Sequence, residues 1–188
     1  GKSKVLLDNA AILYDKGLIN GLLLIAPKGV YKNWYDSEIP VHLPDHIEKK
    51  VVLWKTSDKS TKQKKILNTL FETGTDLHIL IMNVEAFSSG NGTEFARKFL
   101  SCHKTMIAID ESTTIKTHTS NRTKNILSLR ELAKYRRILT GSPVTKSPLD
   151  LFSQCAFLDP WLLSHESFWT FKSKYAVTRK IQAHGRQV

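Results

Sequence analysis

The chain has 188 residues, 41% of them hydrophobic and 24% charged, and its 28 Lys+Arg against 17 Asp+Glu give a formal net charge of +11. Length and composition suit one α/β domain with a full core; no apolar run approaches a membrane span, and the first residues do not read as a secretory leader. The basic excess favours a polyanionic partner, while Cys102 and Cys155 make no disulfide framework and point to a reducing, intracellular setting.

Residues 4–14 repeat apolar side chains at helical spacing, with Leu6, Ala10 and Leu13 on one line, Leu7, Ala11 and Tyr14 on the next, and Gly17 as the stop. Residues 22–26 form a buried strand closed by Pro27, residues 30–35 a short helix, residues 40–44 a loop and residues 51–54 a second strand. Ser57 or Asp58 can cap a helix reaching about Phe71, with Ile66, Leu67, Leu70 and Phe71 as its core face and Lys62, Lys64 and Lys65 opposite. Gly74 ends it, residues 78–82 make a third strand, and Ser88-Ser89-Gly90-Asn91-Gly92 reads as a flexible turn before a short helix holding Phe95, Phe99 and Leu100. Residues 105–109 are a fourth strand, and Ser120 can cap a helix with Ile126, Leu129 and Leu132 on one face. A fifth strand follows over 136–140, then Ser147-Pro148 opens a helix through Phe157, and residues 161–175 read as a last helical, aromatic-rich segment. Two runs, 112–130 and 170–188, carry basic residues and no acid, a pattern usual for a solvated face. Cys102-His103 lacks a second ligand pair at zinc spacing.

Helix and strand alternate throughout, which predicts an α/β fold, a mostly parallel sheet with helices on both faces. The chain opens with a helix where a β-α-β unit needs a strand first, and on Gly-Lys-Ser without Met. The expectation is a fragment whose first strand lies upstream of Gly1.

Chemistry concentrates at strand ends, where ligands of open α/β sheets bind. The fourth strand stops at Asp110-Glu111. There one carboxylate can hold a hydrated Mg²⁺ and the next can orient or deprotonate water, although an acid pair alone is most often a solvated edge. Gly1-Lys2-Ser3 opens the first helix and matches the last three positions of the phosphate-loop pattern G-x-x-x-x-G-K-[ST]. Backbone N–H groups at a helix start attract phosphate, Lys2 can reach the β and γ oxygens, and the Ser3 hydroxyl can ligate Mg²⁺. At the end of the fifth strand, Thr140 and Ser142 of Leu139-Thr140-Gly141-Ser142-Pro143 can hydrogen-bond to the acid pair and sense the γ-phosphate. A Gly/Ser/Pro turn is the plain alternative there.

In this order the segments resemble the first RecA-like domain of superfamily two helicases and translocases, closest to the Swi/Snf-type ATPases. Gly1-Lys2-Ser3 resembles the end of motif I, Leu24-Ile25-Ala26-Pro27 with Val30 and Asn33-Trp34 motif Ia, and Ile81-Met82-Asn83-Val84-Glu85 motif Ib. Ile109-Asp110-Glu111-Ser112, with Ile115-Lys116 and Ser120-Asn121-Arg122, resembles motif II and its continuation. Leu139-Thr140-Gly141-Ser142-Pro143, Leu151 and Phe157-Leu158-Asp159-Pro160 resemble motif III and its helix. Thr113 stands where the family usually has His, and Ser142 where it usually has Thr. The short intervals between motifs suggest a compact bacterial or phage version.

The resemblance implies a RecA-like, P-loop ATP-binding domain over residues 1–160 and a helical extension over 161–188 leading toward a second RecA-like domain, which supplies the arginine finger. It implies ATP and Mg²⁺ as ligands. Gly1, Lys2, Ser3 and Lys4 would bind nucleotide, Ser3 and Asp110 the metal, and Lys2, Asp110, Glu111 and Thr140 would serve catalysis. The DNA backbone would be held by Lys28, Lys32, Asn33, Asn83 and Lys116, with Arg122 and Lys124 behind them, and Trp34 reads as core before base-stacking platform. The full protein would be a DNA-dependent ATP hydrolase, cytoplasmic in a bacterium or phage-infected host and nuclear in a eukaryote, while the fragment alone would turn over slowly. The alternative is a basic nucleic-acid-binding module with an inactive nucleotide site.

Overall fold

Short runs of Leu, Ile, Val and Met are stable as strands only where both faces are covered. The computed structural model, which describes residues 1–55 and 60–177, satisfies this with five parallel strands. They are β1 (Gly21–Ala26), β2 (Lys49–Leu53), β3 (Leu77–Asn83), β4 (Thr105–Asp110) and β5 (Tyr135–Leu139), ordered β2-β3-β1-β4-β5 across the sheet. Every residue of the inner strands β1 and β3 is buried, whereas every residue of the edge strand β5 stays partly exposed.

Alternation along the strands divides the core between two layers of helices. Leu23, Ile25, Leu80, Met82, Ile107 and Ile109 face α5 (Gly90–Cys102), α6 (Asn121–Leu129) and α7 (Leu151–Leu158) through Phe99, Leu100, Ile126, Leu129 and Phe157. Leu22, Leu24, Ile79, Ile81, Met106 and Ala108 face α1 (Lys2–Asp15), whose Leu6, Leu7, Ala10 and Ala11 are buried. The same face is covered by the turn after β1, built from α2 (Tyr31–Asn33), a π-helical turn (Trp34–Glu38) and α3 (Ile39–His42). Each fully buried Leu or Ile contributes about 1.5–3 kcal/mol relative to an exposed one. Gly17 stops α1 at φ +65°, a conformation L side chains rarely adopt.

Several boundaries differ from the sequence expectation, for physical reasons. Residues 40–42 are helical, not loop: α3 continues directly from the π-helical turn, with Glu38 and Ile39 already in helical conformation and Pro40 as its second residue. Ser57 and Asp58 lie outside the described residues; α4 (Thr61–Asn68) is capped by Ser60, whose hydroxyl accepts from the Gln63 amide at 3.2 Å. On α4 Leu67 is buried, yet Ile66 is exposed and Phe71 only half-buried against Phe95. Gly90 to Gly92 form no loop: they are the first turn of α5, and a Cβ on Gly92 would stand 2.3 Å from the Ala86 carbonyl oxygen. The helix over 161–175 shrinks to α8 (Phe168–Tyr175), started by a capping box between Ser167 and Thr170. It packs back on α7, with Phe168 and Phe171 against Phe152 and Phe168 stacked on His118 at 3.6 Å.

Candidate active site

The register sets Ala26 beside Asn83 and Asp110 beside Leu139, so the polar residues that end these strands share the carboxyl edge of the sheet. Glu111 leaves β4 in the left-handed region, at φ 49° and ψ 63°, which is uncommon for a residue with a Cβ. That turn sends three successive side chains to three different elements.

Glu111 meets the start of α1: Lys2 Nζ donates to Glu111 Oε1 at 2.6 Å. The bond to Glu111 raises the Lys2 pKa, and the Asp110 charge adds to it. Both side chains are over two-fifths exposed, so the pair is weak enough to open for a ligand. Asp110 meets the turn after β1: Trp34 Nε1–H donates to Asp110 Oδ2 at 2.9 Å, and the Glu111 amide donates to Asp110 Oδ1 at 3.0 Å. Ser112, fully buried, donates to Gln154 Oε1 of α7 at 2.6 Å. Gln154 Nε2 in turn donates to the carbonyls of Pro143 and Asp150, each at 2.8 Å.

The loop after β5 is therefore tied to the acid turn from beneath. Thr140 and Ser142, expected to bond to the acid pair, instead close their own turn: Thr140 Oγ1 accepts from the Ser142 amide at 3.1 Å, and the Ser142 hydroxyl donates to the Val144 carbonyl at 3.0 Å. Farther along, Asp150 accepts from the Thr145 amide and hydroxyl and from the Lys146 amide. Lys116 donates to Thr145 Oγ1 and stands 3.8 Å from Asp150. Burial alone would push the Asp150 pKa up; these donors and the Lys116 charge outweigh it and hold the carboxyl at about 2.

The other expected residues are distributed unevenly. Gly1 precedes α1 and Ser3 lies in its first turn, half-buried, whereas Lys4 turns away to pair with Asp8 one turn along at 2.7 Å. Lys28 and Lys32 are exposed after β1, with Asn33 beside them, its amide donating to Glu38 at 3.1 Å. Asn83 is buried, and its Oδ1 accepts the Ala86 amide at 2.9 Å to cap the turn that follows β3, which leaves only its Nδ2 for the phosphate contact expected from sequence. Trp34 is core, 2% exposed. Its contact with Asp110 was missed from sequence, although a buried indole N–H needs an acceptor and this one follows a strand ending at the same edge. Gln154 was missed as well; a Ser-Gln pair in a helix of otherwise apolar side chains was the available signal.

The donors fit Mg²⁺. A hydroxyl at a helix start and one carboxylate are hard oxygen ligands of the kind that hold this ion together with waters and nucleotide phosphates. No group of three His, Cys, Asp or Glu among the described residues could hold a metal without such help.

Residues 6–187 match the family model of the SNF2-related domain. The chain is 27% identical over 168 residues to the chromatin-remodeling ATPase INO80 of Arabidopsis thaliana, covering 88% of this chain and 10% of that protein. It is 27% identical over 161 residues to the ATP-dependent helicase fft1 of Schizosaccharomyces pombe, covering 85% of this chain and 16% of that one. Its fold is similar to the Sulfolobus solfataricus SWI2/SNF2 ATPase core in complex with dsDNA, with a TM-score of 0.63, 26% identity, and coverage of 88% of this chain and 30% of that chain. These relatives are eukaryotic and archaeal and lend no support to a bacterial or phage version. The chain thus spans a tenth to a third of the proteins it resembles, and across nearly its whole length it belongs to the SNF2-related domain family.

Proposed function

We propose that the chain is the ATP-binding first motor domain of an intracellular DNA-dependent ATPase, one that moves along duplex DNA when joined to a second RecA-like domain. The observation that carries this reading is the contact of Lys2 with Glu111 beside Asp110: a helix-start lysine and two strand-end carboxylates meet at one sheet edge. In this reading the exposed Lys2–Glu111 pair is a closed resting arrangement. Phosphate draws Lys2 away to the β and γ oxygens, and Glu111, released, becomes free to orient water and take its proton. Asp110, already fixed through both oxygens, would hold the metal together with Ser3. A bound Mg²⁺ neutralises charge on the phosphates. Lys28, Lys32 and Asn33 meet the DNA phosphates without reading bases, so that contact weakens as salt rises. Lys116, engaged by Thr145 and Asp150, holds the loop after β5 and is a further candidate for the DNA backbone.

The test is binding of Mg²⁺-ATP to the wild-type protein and to Lys2→Ala and Asp110→Asn, with ATPase activity of the full-length protein measured with and without DNA. Both substitutions are expected to abolish tight Mg²⁺-ATP binding, and DNA is expected to raise turnover. Binding that survives both substitutions removes the nucleotide site, and turnover indifferent to DNA removes the translocase.

A further inference from the structure

The acid turn and the segment proposed to face DNA are joined by a partly buried hydrogen bond between Trp34 and Asp110. Trp34 lies directly after Lys32 and Asn33 and opens the π-helical turn Trp34–Glu38, whose first carbonyl accepts from the Ile39 amide. A π turn widens the helix by one residue and is frequent at functional positions. Here it seats the Trp34 ring in the core, among the residues covering one face of the sheet, with the Nε1–H on Asp110 Oδ2 at 2.9 Å. Oδ1 is held separately by the Glu111 amide at 3.0 Å. One donor on each oxygen fixes the plane of the carboxylate, and each oxygen keeps a lone pair for a metal or its water. The indole is 2% exposed and packed in that core, so the orientation of Asp110 depends on where the turn after β1 holds it.

We propose that Trp34 is the positioning residue for the Asp110 carboxylate, and that it couples the basic segment Lys28–Asn33 to metal–nucleotide binding. Movement of this turn against a phosphate backbone shifts the indole donor and with it the carboxylate. By linkage, Mg²⁺-nucleotide then changes DNA affinity by the same factor as DNA changes Mg²⁺-nucleotide affinity. The proposal rests on the reading of Asp110 as the metal-holding carboxylate.

The experiment replaces Trp34 in the full-length protein by 3-benzothienylalanine, which keeps the shape of the indole and carries sulfur in place of N–H. Trp34→Phe is made in parallel. Affinity for a non-hydrolysable ATP analogue is measured with Mg²⁺ and with EDTA, each with and without duplex DNA at fixed salt. Loss of an outer partner of a metal ligand reduces metal affinity by about 10–100-fold. Both variants are therefore expected to lose about that factor of the Mg²⁺-dependent gain and to keep the wild-type affinity in EDTA, with the DNA-linked change shrinking toward none. In an Asp110→Asn background the Trp34 replacements should add nothing further. An unchanged Mg²⁺ gain and DNA linkage in the benzothienyl variant, with both present in the wild type, overturns the proposal while leaving the ATP-site reading intact. A wild type whose affinity ignores Mg²⁺ overturns both.

Discussion

Glu111 carries the least favourable backbone conformation in the acid turn, and that conformation separates its role from its neighbour's. At φ 49° its side chain leaves the strand axis and reaches Lys2, while Asp110 remains in strand register beside Leu139. Removing only the charge of Glu111 should therefore spare nucleotide binding and stop chemistry. Glu111→Gln is expected to bind Mg²⁺-ATP at least as tightly as wild type, since Lys2 loses its competing partner, and to lose about 10²–10⁴-fold in turnover. Equilibrium binding and single-turnover hydrolysis on one preparation would check both halves. At this scale the charged members of the site could be read from sequence, because Lys2, Asp110 and Glu111 belong to patterns in which charge type and element end fix the role. Their partners could not. Trp34, Gln154 and Asn83 act through hydrogen bonds whose direction depends on packing, and one linear pattern fits a cap, a ligand or a core residue equally well.

Among the elements, the strands were legible to within a residue or two: the inner ones because a buried strand needs a nearly unbroken apolar run, the edge strands β2 and β5 from the short apolar stretches that end them. The connections were less so. Glycines at 90 and 92 carry the signature of a flexible turn, yet they start α5, where Gly92 lets the helix backbone press against Ala86 of the 3-10 turn Val84–Ser88. Gly in a helix is ordinarily improved by Ala. Here the added methyl would meet a carbonyl oxygen at 2.3 Å, so the sign reverses. Gly92→Ala is expected to destabilise the fold by about 1–3 kcal/mol, measured by denaturant unfolding, and Gly90→Ala, with open space around it, to be near neutral or stabilising. Equal effects at the two positions would contradict this packing. The link between β4 and the loop after β5 is also an element-scale device. Ser112 and Gln154, both buried, tie that loop to the acid turn directly beside Thr113.

Across the whole molecule, the edge opposite the site holds a second charge-sensitive feature. His78 of β3 and His103, just past α5, meet edge to face with ring centroids 4.7 Å apart and nitrogens 3.4 Å apart, and His103 Nε2 donates to the Leu70 carbonyl at 2.7 Å. Burial lowers both pKa values; for His78 the neighbouring His103 and Lys50 lower it further, and Asp76 and Glu72 oppose them. The unfolded chain then binds protons that the folded chain refuses. Stability is complete above the ordinary histidine value near 6.5 and falls as pH drops below it, until the folded rings themselves protonate. Asp150 behaves in the opposite sense and in a separate window: its contribution is present above the ordinary 3.8 and is lost only as pH falls through about 2. Denaturant unfolding from pH 8 to pH 4 should therefore show a decline beginning near 6.5 that His78→Gln with His103→Gln makes shallower, with His118, its pKa also lowered by burial, supplying part of what remains. Fold class was the most legible property at this scale, since alternating periodicities dictate a parallel sheet. This histidine contact joins residues 25 positions apart, and nothing in their local sequence announces it. The strand order carries a consequence for biogenesis. β1 lies at the centre of the sheet, yet its neighbours β3 and β4 begin only at Leu77 and Thr105. During synthesis the most apolar strand leaves the ribosome long before either neighbour exists, so a nascent chain stalled ahead of β3 would present a bare, sticky ribbon, and one stalled ahead of β4 would still leave one of its edges open until Asp110 emerges.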